Sequence, residues 1–384
     1  MTRLRAEVAV AQLNKHGEEL CGDFVEVVHD PPTMVVMSDG LGSGVKAHIL
    51  ASLTCKMAST MLKGGLELSD VIESMSKTLP VCEVRHLAYS TFSILRIMPD
   101  NTAYLAEFDN PNVFFGRGSE LIPLEREVRE YGGRAVKESR FEVRDGDWIV
   151  LVSDGVLHAG IGGIWNLGWG WERVGEYLCR IAPHEEEAHS FAQGLLETTR
   201  KLYAGKPGDD ATVCAVRIRA PRSLTVLVGP PVKKSDDARV VKEFMGRPGK
   251  KAVCGGTTSL MVGRELGKKV EANLGSLRSS TPPTGHIEGI DLVTEGILTL
   301  TNVLDMMRNG LPSRQRLRYR VDGPSRMADL LIEADEIHFI VGRAINPAHQ
   351  SPDLPAELVL KSKVVEDIAR LLSGYGKEVT VDQY

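Results

Sequence analysis

The sequence predicts two architectures in one chain: an α+β unit of stacked antiparallel sheets flanked by helices, then a smaller α/β unit with a mainly parallel sheet. Three observations carry this. A chain of 384 residues exceeds what one hydrophobic core organises, so two domains are expected. Strand-like and helical stretches are segregated before Ala220 and alternate after it. The charge also changes sign there: 23 basic against 31 acidic residues up to 220 (−8) and 23 against 20 beyond it (+3).

In the first half, strands are expected from Ala6 onward. Met34-Val-Val-Met37, Thr91 to Ile97, Ala103 to Phe108 and Trp148-Ile-Val-Leu-Val152 are short apolar runs bounded by Pro, Asp, Asn and Gly. Pro99-Asp-Asn101 reads as a hairpin turn. Helical spacing covers Ala47 to Leu62, Ser69 to Leu79, and Trp171 to Ala204 with a break around Pro183. After Ala220-Pro221-Arg222 the rhythm becomes strand, loop, helix. Leu224 to Val228, Lys251 to Val253, Glu336 to Val341 and Glu378 to Val381 read as strands. Helices are expected near Asp236 to Met245, after Gly255-Gly-Thr-Thr258, at Met327 to Ala334 and at Lys363 to Leu372. Domains at 1–220 and 221–384 follow.

At 42% hydrophobic and 25% charged, the composition argues against disorder, collagen-like repeats and coiled coil. No apolar run reaches the roughly 18 residues a membrane span needs. Glu7 stands where a secretory signal would carry its apolar stretch, so a cytoplasmic protein with no membrane partner is expected. A net charge of −5 leaves no basic footprint for nucleic acid. Cys21, Cys55, Cys82, Cys179, Cys214 and Cys254 stand singly, as reduced core thiols do.

Four segments place aspartate beside glycine at a strand end or loop: Cys21-Gly-Asp-Phe24, Ser38-Asp-Gly-Leu-Gly-Ser-Gly44, Ser153-Asp-Gly-Val156 and Gly208-Asp-Asp-Ala-Thr212. Each alone is also an ordinary turn, Asp accepting local hydrogen bonds and Gly supplying positive φ. Two copies of Ser-Asp-Gly, each directly after an apolar strand, favour convergence at a common sheet edge. Carboxylates so gathered repel unless protonated or neutralised, which implies hard divalent cations with oxygen ligands, Mg²⁺ or Mn²⁺ rather than Zn²⁺. His16, His29, His48, His86 and His158 show no zinc-type spacing and read as surface or hydrogen-bonded histidines.

In order and placement, Gly22-Asp23, the 38–44 loop followed by Lys46-Ala47-His48, Ser153-Asp154-Gly155 and Asp209-Asp210-Ala-Thr-Val213 resemble the motifs of the metal-dependent Ser/Thr protein phosphatases, the PPM or 2C-type family. The resemblance is nearest to the bacterial stage II sporulation protein E branch and covers residues 6–219. It implies an α-β-β-α phosphatase sandwich whose sheet edge holds two Mn²⁺ or Mg²⁺ ions. Asp23 and Asp39 are then metal ligands, with Gly40 offering its carbonyl and Asp154 and Asp209 joining from later strands. Asp210 is the alternative to Asp209, which stands three residues before Thr212 as the family's last ligand does. The same four aspartates carry catalysis in this reading. Two ions about 3.5 to 4 Å apart share one water and lower its pKa, and that water attacks a phosphoserine or phosphothreonine monoester of a regulatory protein. Their charge also lets an acidic domain accept an anionic substrate. Where 2C-type relatives carry a histidine suspected as general acid, this chain has Leu41, so no leaving-group acid is named.

Other features keep two readings. Gly42-Ser-Gly44 either cradles phosphate at the following helix or lets the loop pass the metals. Arg85 and His86 are a phosphate-reaching or a solvated pair. Trp165, Trp169 and Trp171, among Gly162, Gly163, Gly168 and Gly170, are core packing, a flap over the site or a partner surface. In the second half, Cys254-Gly-Gly-Thr-Thr-Ser259 is a capped helix start or a weak phosphate site in a nucleotide-responsive enzyme. Gln315-Arg-Leu-Arg-Tyr-Arg-Val321 alternates as a strand, putting Arg316, Arg318 and Arg320 on one face, for a phosphorylated partner or as a charged edge. His286, Asp291 and Glu295 sit near the Thr281-Pro-Pro-Thr-Gly285 turn. The expected function is a protein serine/threonine phosphatase whose second domain senses a small ligand or docks a protein partner, a homodimer being left open. The rival is a catalytically weak or inactive regulatory module that binds a phosphoprotein or small ligand.

Overall fold

The computed structural model describes residues 3–29, 31–78, 90–131, 133–163, 165–272, 284–310, 316–317, 319–344 and 354–384, with backbone alone at 76–77 and 354–360. Leu79, Cys82, Arg85, His86, Thr281, Pro282, Pro283, Gln315 and Arg318 lie outside the described residues. The chain divides into two compact units, Met1–Ala220 and Pro221–Tyr384.

In chain order the first unit contains β1 (Arg5–Leu13), β2 (Asp23–Val28), β3 (Thr33–Asp39), α1 (Gly44–Lys63), α2 (Leu68–Thr78), β4 (Phe92–Ile97), β5 (Thr102–Phe108), β6 (Phe114–Arg117), β7 (Glu120–Leu121), β8 (Glu127–Tyr131), β9 (Arg134–Glu142), β10 (Asp147–Val152), α3 (Asp154–Leu157), α4 (Trp171–Ile181), α5 (Ala188–Leu202) and β11 (Ala211–Arg219). Two antiparallel sheets form, of order β1-β11-β10-β6-β7 and β2-β3-β4-β5-β9-β8. Strand β3 shows why its apolar run is continuous. Val35 and Met37 face the other sheet, in a core with Leu95, Leu105, Ile149, Leu151 and Cys214. Met34 and Val36 face the opposite way, under Cys55, Ala58, Val71 and Ile72 of α1 and α2. Strand β10 divides likewise: Ile149 and Leu151 inward, Val150 and Val152 outward under Val174, Leu178, Phe191 and Leu195 of α4 and α5. A strand buried on both faces needs apolar side chains at every position. The result is four layers, α-β-β-α.

On α1 the buried Ala47, Ala51, Cys55, Ala58 and Leu62 recur at helical spacing, and their small side chains let the helix lie close on the sheet. The tryptophan cluster packs into the core beneath α4. Trp169 is buried in that core, Trp165 and Trp171 are partly buried against it, and the Trp171 ring stacks on Phe114 at 4.7 Å between centroids.

The second unit contains β12 (Ser223–Val228), α6 (Asp237–Gly246), β13 (Lys250–Cys254), α7 (Gly256–Leu266), β14 (Glu271–Ala272), β15 (Gly285–His286), β16 (Leu292–Thr294), α8 (Ile297–Arg308), α9 (Gly323–Glu333), β17 (Glu336–Val341), α10 (Leu354–Gly374) and β18 (Glu378–Gln383). Its sheet runs β14-β15-β16-β13-β12-β17-β18. The strands from β16 to β18 pair in parallel, and β14 and β15 are antiparallel additions. Val226 and Val228 belong to one core and Leu227 to the other, so helices cover both faces.

The strand expected over 315–321 is not present among its described residues. Arg316 and Leu317 make a helical turn, and Leu317 is buried while Tyr319 and Val321 are exposed. One face of a strand would have treated those three alike. Arg316 and Arg320 are exposed, without a strand to align them.

Candidate metal centre

The two sheets of the first unit bring their acidic strand ends together. Asp23 opens β2, Asp39 closes β3, and the two are direct cross-strand partners. Asp154 follows β10 and Asp209-Asp210 precede β11, neighbours in the other sheet. The serine of each Ser-Asp-Gly fixes its loop. Ser38 Oγ donates to the Thr91 carbonyl at 2.6 Å. Ser153 Oγ accepts from the Thr212 amide at 2.8 Å, which ties Asp154 to the Asp209-Asp210 segment.

The glycines follow a different logic from the turn chemistry expected of them. Neither Gly40 nor Gly155 has positive φ. A Cβ on Gly40 would lie 2.1 Å from the Ala47 carbonyl oxygen, and one on Gly155 would lie 2.0 Å from that of Asp210. Both positions require the absence of a side chain because backbone from another element passes over them.

Asp23 is 1% exposed and Asp210 4%, whereas the side chains of Asp154 and Asp209 are 45% and 42% exposed. Both carboxylate oxygens of Asp23 and Oδ2 of Asp210 are buried without a hydrogen-bond partner. Burial pushes the Asp23 carboxyl above the ordinary value; the nearby Thr212 and Ser153 hydroxyls draw it partly back, and Asp210 adds to the rise. Asp39 is raised further, by burial and then by the charges of Asp23, Asp154 and Asp209. Asp154 is raised by burial and by Asp209, against the pull of His158. Asp39 thus feels the aspartates of all three other motifs. No three of these groups bring oxygens mutually within 4.8 Å, so the cluster is wider than one ion's coordination shell.

Sequence reasoning missed the groups that support this cluster. Gln12 Nε2 donates to the Asp23 carbonyl at 3.3 Å and to Thr212 Oγ1 at 3.0 Å, bridging the sheets. The Lys15 amide donates to Asp210 Oδ1 at 2.9 Å, and Lys15 Nζ stands 3.8 Å from Asp209. Tyr203 donates to the Gly155 carbonyl at 2.6 Å; burial, then Asp209 and Asp154, push its phenol up. His158, expected to be a surface or satisfied histidine, places Nδ1 3.7 Å from Asp154 Oδ2. His48 is satisfied by the Cys21 carbonyl oxygen at 2.8 Å. At the start of α1, Ser43 Oγ donates to Glu18 Oε1 at 3.1 Å, so the Gly42-Ser-Gly44 segment faces a carboxylate of this chain.

Residues 29–219 match the family Stage II sporulation protein E (SpoIIE). The first unit carries a SpoIIE-like domain. The chain is 25% identical over 224 residues to stage II sporulation protein E of Bacillus subtilis (strain 168), covering 56% of this chain and 26% of that protein. It is 22% identical over 223 residues to the protein of the same name from Priestia megaterium, covering 56% and 36%. The chain therefore spans about a quarter to a third of the length of these relatives. A solved structure of the PP2C phosphatase domain with a fragment of the regulatory domain of SpoIIE from Bacillus subtilis is similar at 21% identity and TM-score 0.48, covering 57% of this chain and 64% of that one. Among the described residues, no helix is long and apolar enough to cross a membrane.

In the second unit, Gly255-Gly-Thr-Thr258 joins β13 to α7, as its spacing suggests. Thr258 Oγ1 accepts from the Gly229 amide at 3.1 Å and Ser259 Oγ donates to the Gly256 carbonyl at 2.8 Å, and no side chain caps the start of α7. Asp291 serves the fold by accepting from the Lys251 amide at 2.8 Å. His286 lies on β15 and Glu295 follows β16, and no hydrogen bond joins these three.

Proposed function

We propose that the SpoIIE-like domain is a metal-dependent protein serine/threonine phosphatase that hydrolyses a phosphoserine or phosphothreonine monoester of a regulatory protein. The observation that carries this is the Asp23 carboxylate, buried with both oxygens orphaned and directly opposite Asp39. An uncompensated charge there costs several kcal/mol, and an all-oxygen donor set fits a hard divalent cation. Asp23, Asp39, Asp154 and Asp209 would hold two Mn²⁺ or Mg²⁺ ions, with the Gly40 carbonyl beside them. Asp209 remains preferred to Asp210, because Asp209 acts on both Asp39 and Asp154; each of the two has one oxygen taken by a backbone amide, Asp209 Oδ1 by that of Asp210 and Asp210 Oδ1 by that of Lys15. Bound there, such ions supply charge against the phosphoryl group and make water more acidic. Ser38, Ser153 and Gln12 hold the strand ends in place, and Lys15 Nζ and His158 Nδ1 stand beside Asp209 and Asp154. The second unit is proposed as an accessory domain that senses a ligand or docks the substrate protein.

Hydrolysis of an aryl phosphate by the full chain with Mn²⁺ tests the reading. Turnover lost in the Asp39→Ala, Asp154→Ala variant is the expected result. Turnover by the unsubstituted chain no greater than by that variant leaves a phosphoprotein-binding module as the function.

A further inference from the structure

Far from the aspartates in sequence, the second unit gathers a different donor set. His338 on β17 faces α6 alongside Ile340, and Asp382 on β18 lies two residues beyond Thr380, the direct partner of His338. From α6, Glu243 meets them: one oxygen of each carboxylate and a ring nitrogen of His338 lie mutually within 4.8 Å. His338 is 8% exposed. Its Nδ1 is hydrogen bonded to Thr380 Oγ1, which orients the ring and leaves Nε2 toward the carboxylates. That Nε2 is buried without a hydrogen bond, although Asp382 Oδ2 stands 3.2 Å away. Around them Arg247 pairs with Glu243 at 3.1 Å and with Asp382 at 3.5 Å, and Tyr384 donates to Glu243 Oε2 at 2.5 Å. With two carboxylates and one guanidinium, a neutral imidazole leaves the cluster one negative charge in excess.

We propose that Glu243, His338 and Asp382 form a divalent-metal site in the second unit, distinct from the aspartates of the first. One imidazole nitrogen with two carboxylate oxygens suits Zn²⁺ or a similar transition-metal ion better than Mg²⁺ or Ca²⁺. Three protein ligands leave a fourth position open. Burial, and then Arg247, hold His338 below its ordinary pKa, the neutral form a metal requires. Thr380, Tyr384 and Arg247 are the outer hydrogen-bond partners that fix such ligands. The ion would tie β18 to β17 and α6.

The test uses the full chain carrying Asp39→Ala and Asp154→Ala, which disables the first cluster and makes the outcome independent of phosphatase activity. Stripped of metal, it should take up one equivalent of Co²⁺, displaceable by Zn²⁺, and the His338 ring resonances should shift paramagnetically with Co²⁺ bound. Added His338→Gln should abolish uptake, Asp382→Asn should weaken it, and Thr380→Val should weaken it about 10-fold. Circular dichroism checks that each variant is folded. No uptake by the parent, His338 resonances unmoved by Co²⁺, or uptake unchanged by both His338→Gln and Asp382→Asn would each overturn the proposal.

Discussion

Asp23 carries a buried charge that the Thr212 and Ser153 hydroxyls only partly offset. Replacing it with Asn removes the ionisable group and keeps the shape, so the metal-free chain should gain stability, by about 1 to 3 kcal/mol, while aryl phosphate turnover is lost. A higher Tm in chelator checks the first half. The pH dependence has the same origin. Asp39 is pushed up to about 9, against about 4 for an ordinary aspartate. Between those values the native state binds more protons than the unfolded one, so metal-free stability is greatest in acid and falls as pH rises. Thermal melts in chelator should therefore show Tm declining from pH 5 to pH 8, and Mn²⁺ should flatten that decline. A different mechanism governs Gly155. Its missing Cβ is what lets the Asp210 carbonyl pass, so Gly155→Ala must shift the β10 or β11 end, at about 1 to 3 kcal/mol or more. Tm and turnover should fall together.

At the scale of elements, legibility followed burial. Met34 to Met37 and Trp148 to Val152 announce strands because both faces of β3 and β10 are covered. For the same reason Leu151→Ala should cost about 2 to 5 kcal/mol, readable as a lower denaturation midpoint with unchanged m. Strand β8 gives no such signal, since four of its five residues are exposed, and β7 has two residues. The arginine row misled because strict alternation over seven residues also fits a turn that buries one leucine. The Asp39 and Asp154 motifs were legible because each carboxylate sits between a serine that ties its loop and a glycine demanded by close approach. Gln12, Lys15 and Tyr203 were not. Each is a single polar residue, and what places it at the cluster is the β1–β11 register and the end of α5, which local sequence does not encode.

For the molecule as a whole, each unit has cores of its own: among the described residues, three clusters lie in the first and two in the second, and none shares a residue across Ala220. Separate cores predict separate cooperative transitions. Ligands that bind the native state raise the transition of the unit holding them by about 2.7 kcal/mol at 100 times Kd. In calorimetry of the full chain, Mn²⁺ should raise the transition that Leu151→Ala lowers. The other transition, identified by a cavity such as Val226→Ala, should respond to Zn²⁺ through Glu243, His338 and Asp382. In the Asp39→Ala, Asp154→Ala chain the Mn²⁺ effect should vanish and the Zn²⁺ effect persist. A single transition moved by both ions alike would mean that the two units unfold together and that the two donor sets do not act separately.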